Sequence, residues 1–327
     1  MRKFLFILFF LFLINIKAYA GDKDIVIVES YSQNIKWDVD YANEIKKILG
    51  KEYKLTFFEM NTKVLPPTEH EAMGNKAWAL IEKIKPTLVI VGDDPALKYV
   101  GPPLEQHQIR TVYLGINDNP RIYFSQEPKF VTGVLERPLI KRSAAYIKKI
   151  LPNAKKMLIL FDKSRTSQII DKDFFNNQKS ISISDITYDI ALIDQYSEWK
   201  KIINKVNNEY DAIIIGIYYS VFENKKYVDH EQLIKWSEKN SKKPIFAFWD
   251  FAVGKERAIG GLVLTGAGQG KAAAEIALQL LNDPKKLPNS IYPLFLQEGK
   301  FIFSKAEVKA KNINLPKEIL DETTFVD

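Results

Sequence analysis

Leu88-Val89-Ile90-Val91-Gly92-Asp93-Asp94-Pro95 is the stretch whose reading decides the fold. Four apolar residues in succession, three of them β-branched, have strand length and no polar alternation, which predicts a strand buried on both faces. Glycine and two aspartates end it, and a short helix starts from Ala96. A buried strand feeding directly into a helix is the unit of a parallel sheet covered by helices.

The same unit recurs outward from this point. Upstream, Ile25-Val26-Ile27-Val28 reads as a strand, with a helix over 39–49 that stops at Gly50 and a second strand over 55–58. Ala77, Leu80, Ile81 and Ile84 repeat at helical spacing within 69–84, and Pro86 ends that helix. Downstream, a strand over 111–114 completes the first series. After Arg137-Pro138 a second series begins: helices over 139–151, near 169–176, over 196–206 and 230–240, and strands over 157–161, 186–190, 212–215 and 245–248. A strand over 261–264 and a helix over 271–281 read as a return to the first unit, and a tail rich in proline and lysine runs from Asp283.

The fold class is therefore α/β, with two Rossmann-like, doubly wound parallel-sheet lobes. The first lobe is expected over 21–136 plus about 261–290, and the second over 137–260 plus about 291–327. Crossings are expected near 136–138, 257–261 and 289–293. No internal repeat or low-complexity segment interrupts either series.

At the other end of the argument stands the leader, Met1–Ala20. Arg2 and Lys3 precede an apolar run over 4–14, and Ala18-Tyr19-Ala20 offers small residues at the two positions a signal peptidase reads. This is the layout of a cleaved signal peptide, and its apolar run falls far short of the roughly 20 residues a spanning helix needs. The expected location is the periplasm. Losing Arg2, Lys3 and Lys17 with the leader lowers the formal charge from +7 to +4. The remaining charges are interleaved, so no concentrated basic face marks a nucleic-acid binder. The 327 residues include no cysteine, which leaves the exported chain to be held by its cores and without the thiol a lipid anchor would use.

In open parallel sheets, ligands sit beyond the carboxyl ends of the strands. The residues just past each strand share one character here. Ser30, Tyr31 and Trp37 come after the first, Asp93 and Asp94 after the third, and Asn117 and Asp118 after the fourth. In the second series Ser164, Arg165 and Thr166, then Tyr218 and Tyr219, then Trp249 and Asp250 take the same positions. These fourteen residues are the candidate ligand contacts. Aromatic rings beside carboxylates and amides can stack on a small flat ligand and accept its hydrogen bonds. The aspartates fit a ligand with donors or a positive group, and Arg165 fits a carboxylate. Amino acids and their zwitterionic relatives meet both demands, and sugars nearly so. Asp94, before Pro95, also reads as a helix N-cap.

Gly266-Ala267-Gly268-Gln269-Gly270-Lys271 resembles a phosphate-cradling loop but has neither the Walker nor the dinucleotide spacing, so it reads as tight packing at a strand-to-helix turn. His70, His107 and His230 are far apart and form no helical metal pair. No Gly-x-Ser-x-Gly elbow is present. No catalytic residue, metal site or cofactor is expected; an exported hydrolase is the remaining enzymatic alternative.

The order and spacing of these motifs give a resemblance over nearly all the chain beyond the leader. Glu29-Ser30-Tyr31 with Trp37-Asp38, Gly92 through Tyr99, Gly115-Ile116-Asn117-Asp118-Asn119-Pro120, Val131-Thr132-Gly133-Val134, Phe248-Trp249-Asp250-Phe251 and Gly260-Gly261-Leu262-Val263 carry it. The chain resembles the periplasmic substrate-binding family of ABC importers that includes aromatic-amino-acid binders, close to a branch that also serves as the sensing domain of sensor kinases. The resemblance implies a type I periplasmic-binding fold: two lobes, three crossovers and a ligand cleft between them. It also implies hinge closure, a monomer, and an ABC permease in the inner membrane as partner. The alternative is a ligand-sensing partner of a chemoreceptor or sensor kinase. Ser32 and Gln33 stand where close relatives tend to have histidine and proline, so the ligand is expected to differ.

Overall fold

The uninterrupted apolar strands are buried on both faces because alternate side chains enter different cores. In β1 (Asp24–Glu29), Ile25 and Ile27 join the cluster that holds Tyr41, Ala42 and Ile45 of α1 (Lys36–Leu49), while Val26 and Val28 join a second cluster on the opposite face. The computed structural model describes residues 23–296 and 299–327, so the leader expected at Met1–Ala20 lies outside the described residues.

The chain continues through β2 (Lys54–Glu59), α2 (Pro67–Ile84), β3 (Leu88–Gly92), α3 (Asp93–Gln106), β4 (Thr111–Ile116) and β5 (Val131–Leu135). It then enters α4 (Ile140–Ile150), β6 (Lys156–Phe161), α5 (Arg165–Ile170), β7 (Ser180–Ile183), β8 (Ile186–Leu192), α6 (Tyr196–Glu209) and β9 (Ala212–Ile215). A small hairpin, β10 (Phe222–Glu223) with β11 (Lys226–Tyr227), precedes α7 (His230–Asn240), β12 (Ile245–Ala247) and β13 (Gly260–Val263). Last come α8 (Gly266–Asn282), β14 (Leu294–Phe295), β15 (Lys300–Ser304) and β16 (Thr324–Val326), with two short helical turns between the final strands.

Two sheets result. The first has the order β14-β5-β4-β3-β1-β2 and is parallel throughout. The second, β16-β15-β13-β12-β9-β6-β8-β7, is parallel except where β15 meets β13 and β7 meets β8.

Two crossings fall later than the sequence places them. The strand at 260–263 belongs to the second sheet, so the return to the first lobe occurs at Leu264–Thr265 instead of near 257–261. The glycines that look like a linker are there because neighbouring strands press on both sides: a Cβ on Gly260 would meet the Ile302 carbonyl oxygen at 2.3 Å, and one on Gly261 that of Ala247 at 2.7 Å. Likewise Leu294 and Phe295 extend the first sheet beside β5, which puts the third crossing beyond Phe295 and not at 289–293.

The glycine-rich run over 266–270 is the first turn and a half of α8. A Cβ on Gly266 would lie 2.4 Å from the Trp37 carbonyl oxygen, and one on Gly270 2.3 Å from that of Tyr41. The glycines thus let α8 approach the backbone of α1, and buried Ala273, Ala274 and Ala277 continue the contact side of the helix. Gly268 faces more open space, its Cβ meeting only the Thr265 hydroxyl at 3.2 Å and Leu296. Gly270→Ala should therefore lower stability by about 1–3 kcal/mol, since α1 must shift to admit the methyl group. Gly268→Ala should be neutral or slightly stabilising through helix propensity. Urea unfolding midpoints of the two variants check this contrast.

Candidate functional site

In the first sheet the chain leaves β1 and β3, which are neighbours, toward opposite edges. In the second, β6 and β9 do the same. Such switch points leave a crevice beyond the strand ends, and the two crevices face each other. The turns after these strands supply Tyr31 and Asp93 from the first lobe, and Thr166, Ile217 and Tyr219 from the second, to one inner cavity of about 30 Å³. Trp37, Asn117 and Trp249 complete its predicted lining. That volume has room for about two water molecules.

Two of the lining residues carry a buried acceptor without a partner: Asp93 Oδ2 and Asn117 Oδ1. Burial, reinforced by the nearby carboxylates of Asp38 and Glu136, holds the Asp93 carboxyl well above the usual carboxylate range. Asp93 also has φ of +65°, an uncommon conformation for a residue with a side chain. Glu136, at the end of β5, accepts a hydrogen bond from the Trp249 indole Nε1 at 2.6 Å and one from Asn117 Nδ2 at 3.2 Å. The Trp249 bond crosses from one lobe to the other. Burial pushes the Glu136 carboxyl up to about 7 against the opposing effect of these two donors. The cation of the inner cavity is Lys63, whose Nζ lies 4.3 Å from the Tyr31 ring centroid and 5.3 Å from that of Tyr219.

Buried carboxylates hold the turns in place. Asp94 accepts from the backbone amides of Asn117 at 2.9 Å and Asp118 at 3.1 Å and from the Tyr123 hydroxyl at 2.9 Å. It is therefore not the helix cap that its place before Pro95 suggests; Gly92 takes that position, without a side-chain bond. Asp162 acts in the same way in the second lobe, accepting from Ser164 N at 3.0 Å, Ser167 Oγ at 2.7 Å and Ser220 N at 2.8 Å.

Of the fourteen candidates, Tyr31, Trp37, Asp93, Asn117, Thr166, Tyr219 and Trp249 line the inner cavity. Asp94, Ser164 and Arg165 face a larger outer cavity of about 410 Å³ at the mouth of the cleft, which Tyr31, Lys63 and Thr166 separate from the inner one. Ser30, Asp118, Tyr218 and Asp250 line none of these spaces. The Ser30 hydroxyl donates to the Gly92 carbonyl and accepts from Ala96 N at 2.8 Å, fastening β1 to α3. Tyr218 is fully buried and stacked on Tyr219 at 5.4 Å. Asp118 pairs across the cleft with Arg165 at 2.6 Å, and Asp250 pairs with Lys36 of α1 at 2.9 Å. Arg165 is thus a tie between lobes in this conformation.

Lys63, Glu136, Ile35, Ile217 and Phe251 complete the inner lining and were outside the fourteen. Lys63 and Glu136 come after β2 and β5, so the rule applied to the other strand ends finds them once those two turns are read. Among the described residues no three His, Asp or Glu side chains gather so as to hold a metal ion, and no helix is long and apolar enough to cross a membrane.

The comparisons with known proteins agree with this architecture. The sequence model of a family described as ABC transporter substrate binding protein matches residues 122–326, more than half of the chain. No curated protein matches the sequence. Among solved structures, an ABC domain from Streptococcus pneumoniae in complex with L-Trp superposes with a TM-score of 0.66 at 18% identity, covering 93% of this chain and 100% of that one. The ligand-free, open structure of CD0873, a substrate-binding protein with adhesive properties from Clostridium difficile, gives 0.65 at 14% identity, with coverage of 93% and 99%. The Cra transcriptional regulator of Pseudomonas putida, bound to fructose 1-phosphate, gives 0.54 at 10% identity over 85% of this chain and 97% of that one. At these identities the likeness is one of fold, and the fold is the type I periplasmic-binding fold.

The raised Glu136 carboxyl has a definite sign for stability. A group whose pKa rises on folding keeps its stabilising contribution below its ordinary value of 4.5 and loses it as pH climbs through about 7. Glu136→Gln keeps an acceptor for the Trp249 indole and removes the titration. The variant should be more stable than the parent at pH 8 by about 2 kcal/mol, with little change at pH 4.5. Thermal melts across that pH range test it; equal pH slopes for both proteins would count against the assignment.

Proposed function

Because this chain belongs to the ABC transporter substrate-binding protein family, we propose that it captures a small, amine-bearing, amino-acid-like ligand in the inner cavity and delivers it to an ABC permease. The observation that carries this reading is a pair of buried, unpartnered acceptors, Asp93 Oδ2 and Asn117 Oδ1, on residues that line a cavity walled by Trp37, Tyr219 and Trp249. An ammonium group satisfies such acceptors and favours the ionised Asp93 carboxylate that burial, Asp38 and Glu136 otherwise disfavour, while a planar side chain stacks on the rings. A neutral sugar would supply hydrogen bonds without relieving the charge.

At about 30 Å³ the inner cavity is too small for an amino acid, so ligand entry requires the lobes to part. Ligand seated on one lobe then gains contacts from the other, and that differential affinity drives closure. With the ligand in place the lobes close less fully than here, so the Trp249–Glu136 contact across the cavity gives way to contacts with the ligand, while the Arg165–Asp118 and Lys36–Asp250 pairs at the cleft edges can re-form. The family and the leader expected at Met1–Ala20 both support a periplasmic setting, where the closed pair of lobes is the surface a permease reads.

The expected outcome of titrating the full chain against aromatic and aliphatic amino acids, their decarboxylated amines and monosaccharides is one-to-one binding of an amine-bearing compound. Asp93→Asn should weaken that binding tenfold or more, as loss of a charged hydrogen bond does. Small-angle scattering should show the protein contracting on binding. A monosaccharide that binds best, with affinity unchanged in Asp93→Asn, would overturn the amine reading.

A further inference from the structure

The outer cavity is chemically unlike the inner one. At about 410 Å³ it lies in the range of small-molecule sites, and both lobes build it. Its lining includes four cations, Lys63, Lys98, Lys163 and Arg165. The single lining carboxylate among the described residues is Asp94, whose oxygens are already held by Asn117, Asp118 and Tyr123. Arg165 and Lys163 have partners, Asp118 at 2.6 Å and Asp194 at 3.5 Å. Lys63 and Lys98 instead rest on rings, with Nζ 4.3 Å from the Tyr31 centroid and 4.8 Å from that of Tyr99, and among the described residues neither has a carboxylate at ion-pair distance. Cations thus outnumber carboxylates along the lining, with Lys63 also near the inner carboxylates Asp38 and Asp93.

Its remaining surface is aromatic and hydroxylic. Phe222 and Tyr227 stand together at 4.4 Å on the small hairpin of the second lobe, opposite Tyr99 and Tyr123 of the first. Ser164, Thr166 and Ser220 border the same space. Cations beside aromatic rings and hydroxyl groups select an anion borne on a flat group: the lysines compensate its charge, the hydroxyl groups donate to its oxygens, and the rings pack against its plane.

We propose that this outer cavity is a second binding site, distinct from the inner one, for an aryl oxyanion: a flat ring carrying a carboxylate or a phosphate. The site does not depend on the amine reading of the inner cavity. Because both lobes contribute to it, an occupant favours the closed arrangement. Lys63, shared by the two cavities, faces the inner carboxylates on one side and the outer anion on the other.

Calorimetric titration of the full chain with phenyl phosphate, benzoate, benzylamine and inorganic phosphate at low ionic strength tests this. Phenyl phosphate or benzoate should bind saturably and at least tenfold more tightly than either benzylamine or inorganic phosphate, and the better of the two identifies the oxyanion. Lys98→Glu and Lys163→Glu, both at exposed positions, should each weaken that binding at least tenfold while leaving the melting temperature within a few degrees. Asp93→Asn, which removes an inner carboxylate facing Lys63, should not weaken it. The proposal is overturned if neither aryl anion binds saturably, if benzylamine or inorganic phosphate binds as tightly, or if both lysine variants retain the parent affinity.

Discussion

The arrangement of the cleft depends on two buried carboxylates that collect backbone amides beyond the ends of parallel strands. A parallel strand leaves its sheet with N–H groups that no neighbouring strand can accept, and a buried donor without a partner costs about 1–3 kcal/mol. Asp94 answers this by joining the turn after β3 to the turn after β4. Asp162 joins the turn after β6 to that after β9. With these turns fixed, Asp93, Asn117 and Thr166 have defined positions on the cavity, and the rings pack around them. The residues that shape the site are thus next to, and chemically the same as, residues that face it.

Contacts between the lobes are of two strengths. The Arg165–Asp118 pair leaves the arginine side chain 65% exposed, and Lys36 in its pair with Asp250 is half exposed. An exposed pair such as Arg165–Asp118 contributes roughly 0–1 kcal/mol, whereas the buried Asp250 carboxylate of the other pair gives back part of its attraction as desolvation. The Trp249–Glu136 bond is fully buried, and its acceptor is a carboxyl that burial disfavours in the charged form. Closure therefore rests on contacts that are individually modest, and a ligand with a few good interactions can decide the balance between open and closed.

Much of the architecture is legible in the sequence because the strands are continuous apolar runs and the helices have clear stops. The cavity is legible in outline because strand ends converge at the switch points. Which of two adjacent residues faces the cavity is not: Tyr218 and Tyr219 are chemically identical, and only the backbone direction after β9 sends the first into the core and the second into the cleft. Ser30 reads as a ligand contact yet fastens β1 to α3, since a hydroxyl beside a free amide has a nearer use. Asp118, Arg165 and Asp250 carry the right charges but find each other or Lys36 across the cleft, a pairing that local sequence does not reveal. The crossing at Leu264–Thr265 is obscured because Gly260 and Gly261, required by close strand packing, look like a linker.

The late return of α8 to the first lobe has a consequence for how the chain acquires its structure. Tyr41 and the apolar face of α1 are covered by a helix that begins at Gly266, and the edge of the first sheet is finished by β14 at Leu294–Phe295. A chain emerging from its amino terminus therefore makes β6 through β13 of the second sheet before the first core can close. Such long-range closure slows folding and prolongs the exposure of apolar surface. Neither sheet is built from one continuous segment, so no single stretch of chain contains either lobe whole.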